Sequence, residues 1–435
     1  MSCYTAVGPE MSSENIKRRI QACETFLASN TCRRLIRTKM TRSLVDGPIV
    51  PEEWMRAFLE GTLEDAQALS RGLLPSWSPL SLREFVEEAK SLAISRDPVV
   101  SSEMHSLPKD MRIGLTAKKE HEVLRLSAAV ADQAERVNSK KVVDIGSGKG
   151  YLGQVLALHY GLDVVGLEAQ SSHNASAQTR TERVRALKRS RGNGTISSLT
   201  REINTADEIN AELQRECKDA IIVALHACGD LTPTAIQLFA KTEASALVLF
   251  GCCYHRITTD CFPMGPTLRE RSSAIMPMLD GELGCHALEE WSKREPWRLR
   301  SHGYRALLEE LFEECGVEEP IQLGRLKIRY QPTDLFEDYA RRVLSRLPDL
   351  KTPPLDKDLI SRSERSQHVV PSTACVYALR LLTAAVIESV IVLDRLEFLQ
   401  DSVGGENSSV RAIFDPVCSP RNLGLFAAKP GRARA

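Results

Sequence analysis

Three glycines and two carboxylates carry the first chemistry legible in this chain. Gly146, Gly148 and Gly150 stand at alternate positions in Val142-Val-Asp-Ile-Gly-Ser-Gly-Lys-Gly-Tyr-Leu-Gly153, directly behind Asp144. Such spacing lets a backbone turn sharply and approach a ligand where any Cβ would collide. Glu168 ends the run Asp163-Val-Val-Gly-Leu-Glu168, about twenty residues on, where an acid in this kind of unit grips a ribose diol. A dinucleotide site uses G-x-G-x-x-G and holds a pyrophosphate on helix amides. Here the pattern is G-x-G-x-G, and the Asp144 carboxylate would repel a pyrophosphate. An amino group suits that position instead, and S-adenosylmethionine offers an amino group and a ribose together. The expected seat has Asp144, Gly146, Ser147, Gly148 and Gly150 for the methionine moiety and Glu168 for the ribose. Leu225 and His226 join it from a later strand end, and Asp207 is placed to hydrogen-bond an adenine amine. A bare strand-to-helix turn in some other α/β domain would leave both acids without a purpose.

A second gathering lies further along. His226-Ala-Cys-Gly-Asp-Leu-Thr-Pro233 follows the apolar run Asp219 to Leu225, and Gly251-Cys-Cys-Tyr-His-Arg256 follows Ala246 to Phe250. Ligands in open α/β sheets sit outside the carboxyl ends of strands, so both segments reach the rim opened by Asp144. His226, Cys228, Tyr254 and His255 are the expected surroundings of a reacting acceptor, with a histidine as general base where the acceptor is a hydroxyl. With Cys252 and Cys253 the same gathering could hold a metal, transfer a proton or wall a pocket. No C-x-x-C pair occurs in it and adjacent cysteines are awkward tetrahedral ligands, so no metal is expected. Asp230, Thr232 and Pro233 also read as the start of a helix.

Strands and helices must deliver these residues. Apolar runs at 142–145, 163–168, 195–204, 219–225 and 246–250 read as strands, and Tyr151, Leu152, Val155, Leu156 and Leu158 recur at helical spacing behind the glycines. Runs at 410–416 and 423–429, joined by a Pro/Asn turn, read as a closing antiparallel hairpin. The expectation is an α/β fold with a seven-stranded, mostly parallel sheet. Residues 13–95 carry helical stripes: Ile16, Ile20, Cys23 and Leu27; Trp54, Phe58 and Leu59; Leu82, Phe85, Val86 and Ala89. They read as a structural cap, or as a docking module through Arg18, Arg19, Arg33, Arg34, Arg37 and Lys39. Lys118 to Glu122 either closes over the cofactor or is a charged helix start capped by Thr116. The basic stretch Arg180 to Arg191 favours a solvated helix face over RNA contact. Beyond 263, helices are expected at 267–279, 286–291, 304–315 and 334–347, a strand at 320–328 and a proline-rich linker at 351–367. Val376 to Leu399 is apolar but carries Arg380, Glu388 and Asp394, so it is expected to be a helix buried against the sheet, not a membrane span. The expected boundaries are an N-terminal helical domain 1–97, a linker 98–111, a core 112–262, a helical insertion with core-packing helices 263–402 and the hairpin 403–435.

Composition bounds the partners. In 435 residues, Lys plus Arg equals Asp plus Glu at 57 each, so nucleic acid would have to meet a local patch, not a global field. Twelve scattered cysteines, and an N-terminus without a charged-then-apolar leader, imply reduced thiols in the cytosol or nucleus.

Lys118-Lys-Glu-His-Glu-Val123, Asp144-Ile-Gly-Ser-Gly-Lys-Gly150, His226-Ala-Cys-Gly-Asp-Leu-Thr-Pro233, Gly251-Cys-Cys-Tyr-His255, Leu393-Asp-Arg395 and Ser419-Pro-Arg-Asn422 together resemble the methyltransferase-like 25 family. The likeness is to its 25B branch, named for a ribosomal RNA adenine dimethylase-like domain, and covers most of the chain. It implies a Rossmann-like class I methyltransferase domain using S-adenosylmethionine. The His-x-Cys-Gly and Cys-Cys-x-His pieces are also similar to those of transfer RNA 2′-O-methyltransferases of the Trm-thirteen type, which implies an RNA substrate, ribosomal or transfer. The Asn/Asp-Pro-Pro-Tyr/Phe run of amino-methylating enzymes is absent, with His226-Ala-Cys-Gly in its place, which argues against adenine dimethylation. A protein acceptor and a non-catalytic scaffold are the alternatives.

Overall fold

The computed structural model describes residues 11–99, 106–186, 192–203, 209–271, 281–286, 288–315, 317, 328, 331–347, 354–404 and 407–430. Seven strands form one sheet: β1 (Lys141–Ile145), β2 (Asp163–Glu168), β3 (Ile196–Thr200), β4 (Ile221–Cys228), β5 (Ala246–Cys252), β6 (Ser408–Ala412) and β7 (Leu423–Ala428). Their order is β3-β2-β1-β4-β5-β7-β6. β1 to β5 are parallel, and β7 runs antiparallel between β5 and β6, so the expected mostly parallel sheet with its closing hairpin is present. Val142, Val143, Ile221, Val223, Leu247 and Val248 are fully buried, as strands covered by helices on both faces require. Helices Ala117–Arg136, Tyr151–Leu158, Ser171–Ala186 and Leu231–Lys241 supply that cover. The strand order reverses between β1 and β4, the switch point at which open α/β sheets bind ligands.

β4 departs from expectation. It continues through Cys228 instead of ending at Leu225, because His226 bulges out: pairing shifts from Leu225 with Phe250 to Ala227 with Gly251. His226 has φ +61°, a left-handed conformation that side chains rarely adopt.

By packing, the chain forms two units, one built on Ile94–Cys285 and the residues from Glu388 on, the other on Cys23–Ala93 and His286–Ile387. The N-terminal helices and the insertion were expected as separate domains. Instead residues 23–93 and 286–387 share one unit, since the apolar stripes on both sides need a common core. Leu63 packs on the cluster of Tyr304, Leu308 and Phe336, and the buried Arg380 donates to the carbonyls of Leu35 and Thr38. Of the expected stripes, Leu59 is exposed at 46% while Trp54 and Phe58 are buried. The helix Asp356–Val403 has 48 residues and absorbs most of the expected linker at 351–367. Its start is favoured by Asp356 and Asp358 in the first turn and by burial of Leu359. Its most apolar window is 94% buried. Asp207, Lys188, Arg189, Arg191 and nearly all of the expected strand 320–328 lie outside the described residues.

Candidate active site

Gly146, Gly148 and Gly150 have φ of +70°, +55° and +71°, which only glycine adopts without strain. The turn they form is latched to β2. Gly146 N and Ser147 N donate to Leu167 O at 2.8 and 3.2 Å, Gly150 N donates to Ser147 O at 3.0 Å, and Gly148 N donates to Glu168 Oε2 at 2.8 Å. These amides are spent inside the protein, which corrects the expectation that they grip the methionine moiety. Gly166, unmarked in the sequence, makes room for it, because a Cβ there would lie 2.8 Å from Ser147 Oγ.

Glu168 Oε1 accepts from Gln170 N at 2.9 Å. His173 Nδ1 lies 3.4 Å from the same oxygen but makes no hydrogen bond. A carboxylate offers about four acceptor positions. One on each oxygen is therefore left, which is what the two hydroxyls of a ribose require.

Two cavities flank this latch. One of about 380 Å³ opens at the carboxyl ends of β1, β2 and β4, lined by Gly146, Glu168, Arg201, Ile203, Cys228, Gly229, Leu231 and Arg256 among others. The other, about 560 Å³, has Asp144, Ser147 and Gly150 in its wall, with Gly166 and the helix Ser171–Ala186. The expected seat is thus divided between two spaces, and Leu225 and His226 line neither. Both volumes fall in the range of small-molecule sites, roughly 300–1,000 Å³. Asp144 is buried, and loss of solvent pushes its carboxyl up to about 7, against the pull of Lys119 and with help from Glu168. Such an acid gains most from a cation placed beside it. The spare positions on Glu168 suit a ribose and the buried Asp144 suits an amino group, the two groups of S-adenosylmethionine, though the two acids line separate cavities.

Arg201 was not expected at the site, and Gly229, Leu231 and Arg256, though in the two segments expected at the rim, carried no expected role. Gly229 has φ +53°, and a Cβ on it would lie 2.7 Å from Arg256 Cβ. A glycine directly after a strand-end cysteine was the available signal.

At the end of β4 the His226 imidazole meets Glu122, Nε2 to Oε2 at 3.0 Å. Ser419 Oγ donates to Glu122 Oε1 at 2.7 Å, and Lys118 Nζ is 3.8 Å away. Burial pushes the Glu122 carboxyl up, but the bonds from His226 and Ser419 win and hold it below its ordinary value. Of the two readings of Lys118 to Glu122 the helix start is present, with Thr116 Oγ1 accepting from Lys119 N at 3.3 Å, and Glu122 in addition reaches His226.

Tyr254 is a correction. It is buried and lines neither cavity, and its hydroxyl donates to Glu388 Oε1 at 2.8 Å. Arg421 donates to the same oxygen at 2.7 Å, and Arg96 pairs with the other. Tyr254 anchors the end of β5 instead of walling an acceptor pocket. His255 is exposed, lines neither cavity, and has Nδ1 3.6 Å from Cys285 Sγ. Leu393-Asp-Arg395 secures the chain after β5, for Asp394 accepts from Met264 N at 2.9 Å and from Gly265 N at 2.8 Å. Of the four expected catalytic residues, only Cys228 lines a described cavity. Its Sγ lies 3.1 Å from Cys252 Sγ, and that hydrogen bond draws the Cys228 thiol down to about 6 while raising Cys252.

Residues 118–260 match a family model described as a methyltransferase domain. This chain carries a methyltransferase domain. The match holds the glycine turn, Glu168, β4 and the Cys252-Cys253 pair. The chain is similar to two proteins named probable methyltransferase-like protein 25. The human protein named probable methyltransferase-like protein 25 is 28% identical over 283 residues, 60% of this chain and 45% of the human one. The mouse protein of that name is 22% identical over 459 residues, 72% of this chain and 75% of the mouse one. This chain thus spans less than half of the human relative's length. A solved structure, magnesium protoporphyrin IX methyltransferase from Synechocystis PCC 6803 with bound SAH, is 18% identical over 35% of this chain and 62% of that chain, with a TM-score of 0.24.

Proposed function

We propose that this chain transfers a methyl group from S-adenosylmethionine to a hydroxyl of RNA. The observation that carries this reading is the pairing of His226 with Glu122 at the carboxyl end of β4, next to a strand end that opens on the 380 Å³ cavity. When bound, the cofactor supplies a methyl already activated by its sulfonium, so the protein's task is alignment and proton removal. With Nε2–H donated to Glu122, His226 carries its lone pair on Nδ1, the atom able to take a proton from a hydroxyl. Glu122 holds that tautomer and the ring's direction. Glu168 fixes the glycine turn while keeping acceptor positions for ribose, and Asp144 balances an amino group.

The test is transfer of labelled methyl to RNA and to protein fractionated from cells lacking this chain. Label is expected in RNA, recovered as ribose-methylated nucleosides, and roughly a hundredfold or more slower with His226→Ala, the usual size of a lost general base, with a smaller loss for Glu122→Gln, which acts through His226. Label confined to protein overturns the RNA reading.

A further inference from the structure

Three thiols converge where β4 and β5 end: the sulfurs of Cys228, Cys252 and Cys253 all lie within 4.8 Å of one another. We propose that these three cysteines form a zinc site. The inference does not rest on the methyl-transfer reading.

The backbone is bent to make the cluster. An extended chain sends successive side chains to opposite faces, so Cys252 and Cys253 could not share an ion if β5 simply ran on. Cys253 instead takes φ +54° and ψ +49°, and this left-handed turn brings its sulfur to 3.6 Å from that of Cys252. On the other strand, the pairing of Leu225 with Phe250 would set Ala227 opposite Cys252 if it continued unbroken. The bulge at His226 slips the register by one, so that Cys228 stands opposite Cys252 with the sulfurs 3.1 Å apart. Among the described residues only Asn138, Asp219, His226 and Cys253 are non-glycine residues with positive φ, and two of the four serve this one cluster.

The spacing suits the ion. Zn–S bonds of about 2.3 Å in a tetrahedron put sulfurs about 3.8 Å apart, and separations from 3.1 Å to within 4.8 Å bracket that value. Binding forms three Zn–S bonds and releases the thiol protons to solvent. Arg256 stands on the Cys228 side, where its charge offsets the net negative charge of three thiolates on a divalent ion. Three protein ligands are the number found in open zinc sites, and Cys228 also lines the 380 Å³ cavity, which leaves the fourth position for water or an acceptor there. Cys285 is not one of the three whose sulfurs lie within 4.8 Å of one another, and its sulfur accepts from Tyr254 N at 3.1 Å.

The experiment is elemental analysis of the full chain purified under reducing conditions, followed by exchange of the metal for Co²⁺ and absorption spectroscopy. About one zinc per chain is expected, with thiolate-to-cobalt charge transfer and the intense visible bands of a four-coordinate ion. Cys228→Ser and Cys253→Ser should each lower zinc to under about a tenth of the wild-type content, while Cys285→Ser keeps it. Because a variant could lose metal by unfolding, thermal melts accompany it, and the cobalt spectrum of the unaltered chain stands without any variant. No zinc and no cobalt spectrum in the reduced wild type overturns the site. So does a Cys228–Cys252 disulfide in metal-free protein, or equal metal loss in Cys285→Ser.

Discussion

The burial of Asp144 makes cofactor binding depend on pH in a calculable way. Its carboxyl is pushed up to about 7 in the free protein. A cation seated against it favours the ionised form, so binding must release whatever proton Asp144 holds. Apparent affinity then falls below its plateau by the factor 1 + 10^(pKa − pH), about 11 at pH 6 and about 2 at pH 7. The expected change is a gain of roughly fivefold, about 1 kcal/mol, as pH rises from 6 to 7. The ligand's own α-amino group stays protonated across this window, since such groups titrate at about 7.7–8.0. Isothermal titration with S-adenosylmethionine in buffers of different ionisation enthalpy reads both affinity and proton release, the latter about 0.9 at pH 6 and about 0.5 at pH 7. Asp144→Asn should bind more weakly at pH 7 and show neither effect. Stability is a poorer readout because burial also pushes Asp394 up to about 7. For both groups the unfolded chain gives up its proton first, so folding stability falls as pH rises from the ordinary carboxylate range to about 7. A wild-type affinity flat from pH 6 to 7, or the same slope in Asp144→Asn, would refute the reasoning.

Two further substitutions probe the turn and the cavity wall. Glu168→Ala removes an ionised acceptor from the amides of Gly148 and Gln170 and from the ribose, at about 1.5–3 kcal/mol per bond, so titration should show at least a tenfold loss of cofactor affinity. Unchanged affinity would separate Glu168 from the ligand. Gly229→Ala places a methyl 2.7 Å from Arg256 Cβ at a φ of +53° and should cost about 1–3 kcal/mol, visible as a lower melting temperature; an unchanged melt would deny the close pass of the two segments.

The sheet was legible because its strands are local apolar runs: β2 starts and ends where Asp163 and Glu168 place it, and the final hairpin announces itself by its turn residues. Partnerships were not. The glycine spacing told the conformation of the turn but not that Leu167, Glu168 and Ser147 take its amides. Tyr254 sits beside two cysteines in sequence, yet its hydroxyl is claimed by Glu388, 134 residues away. The bulge at His226 depends on the partner strand β5, which no window around His226 contains. The gathering of thiols at one rim was legible, but its register was not, since a C-x-x-C rule describes one loop, whereas Cys228 and Cys252 are brought together across 24 residues by the pairing of parallel strands. The helices at 23–93 and 286–387 carry readable stripes, but a stripe says only that something covers it, not which distant segment does.

β7 is late in the chain yet interior in the sheet, bonded to β5 on one side and β6 on the other. A ribosome delivers residues in order, so the edge of β5 stays bare until Leu423 and its successors have emerged, and a bare edge is a template for misassembly. A stop codon ahead of Leu423 would therefore excise a middle plank of the sheet instead of trimming a tail, leaving a nascent product that quality control should meet as an open β edge.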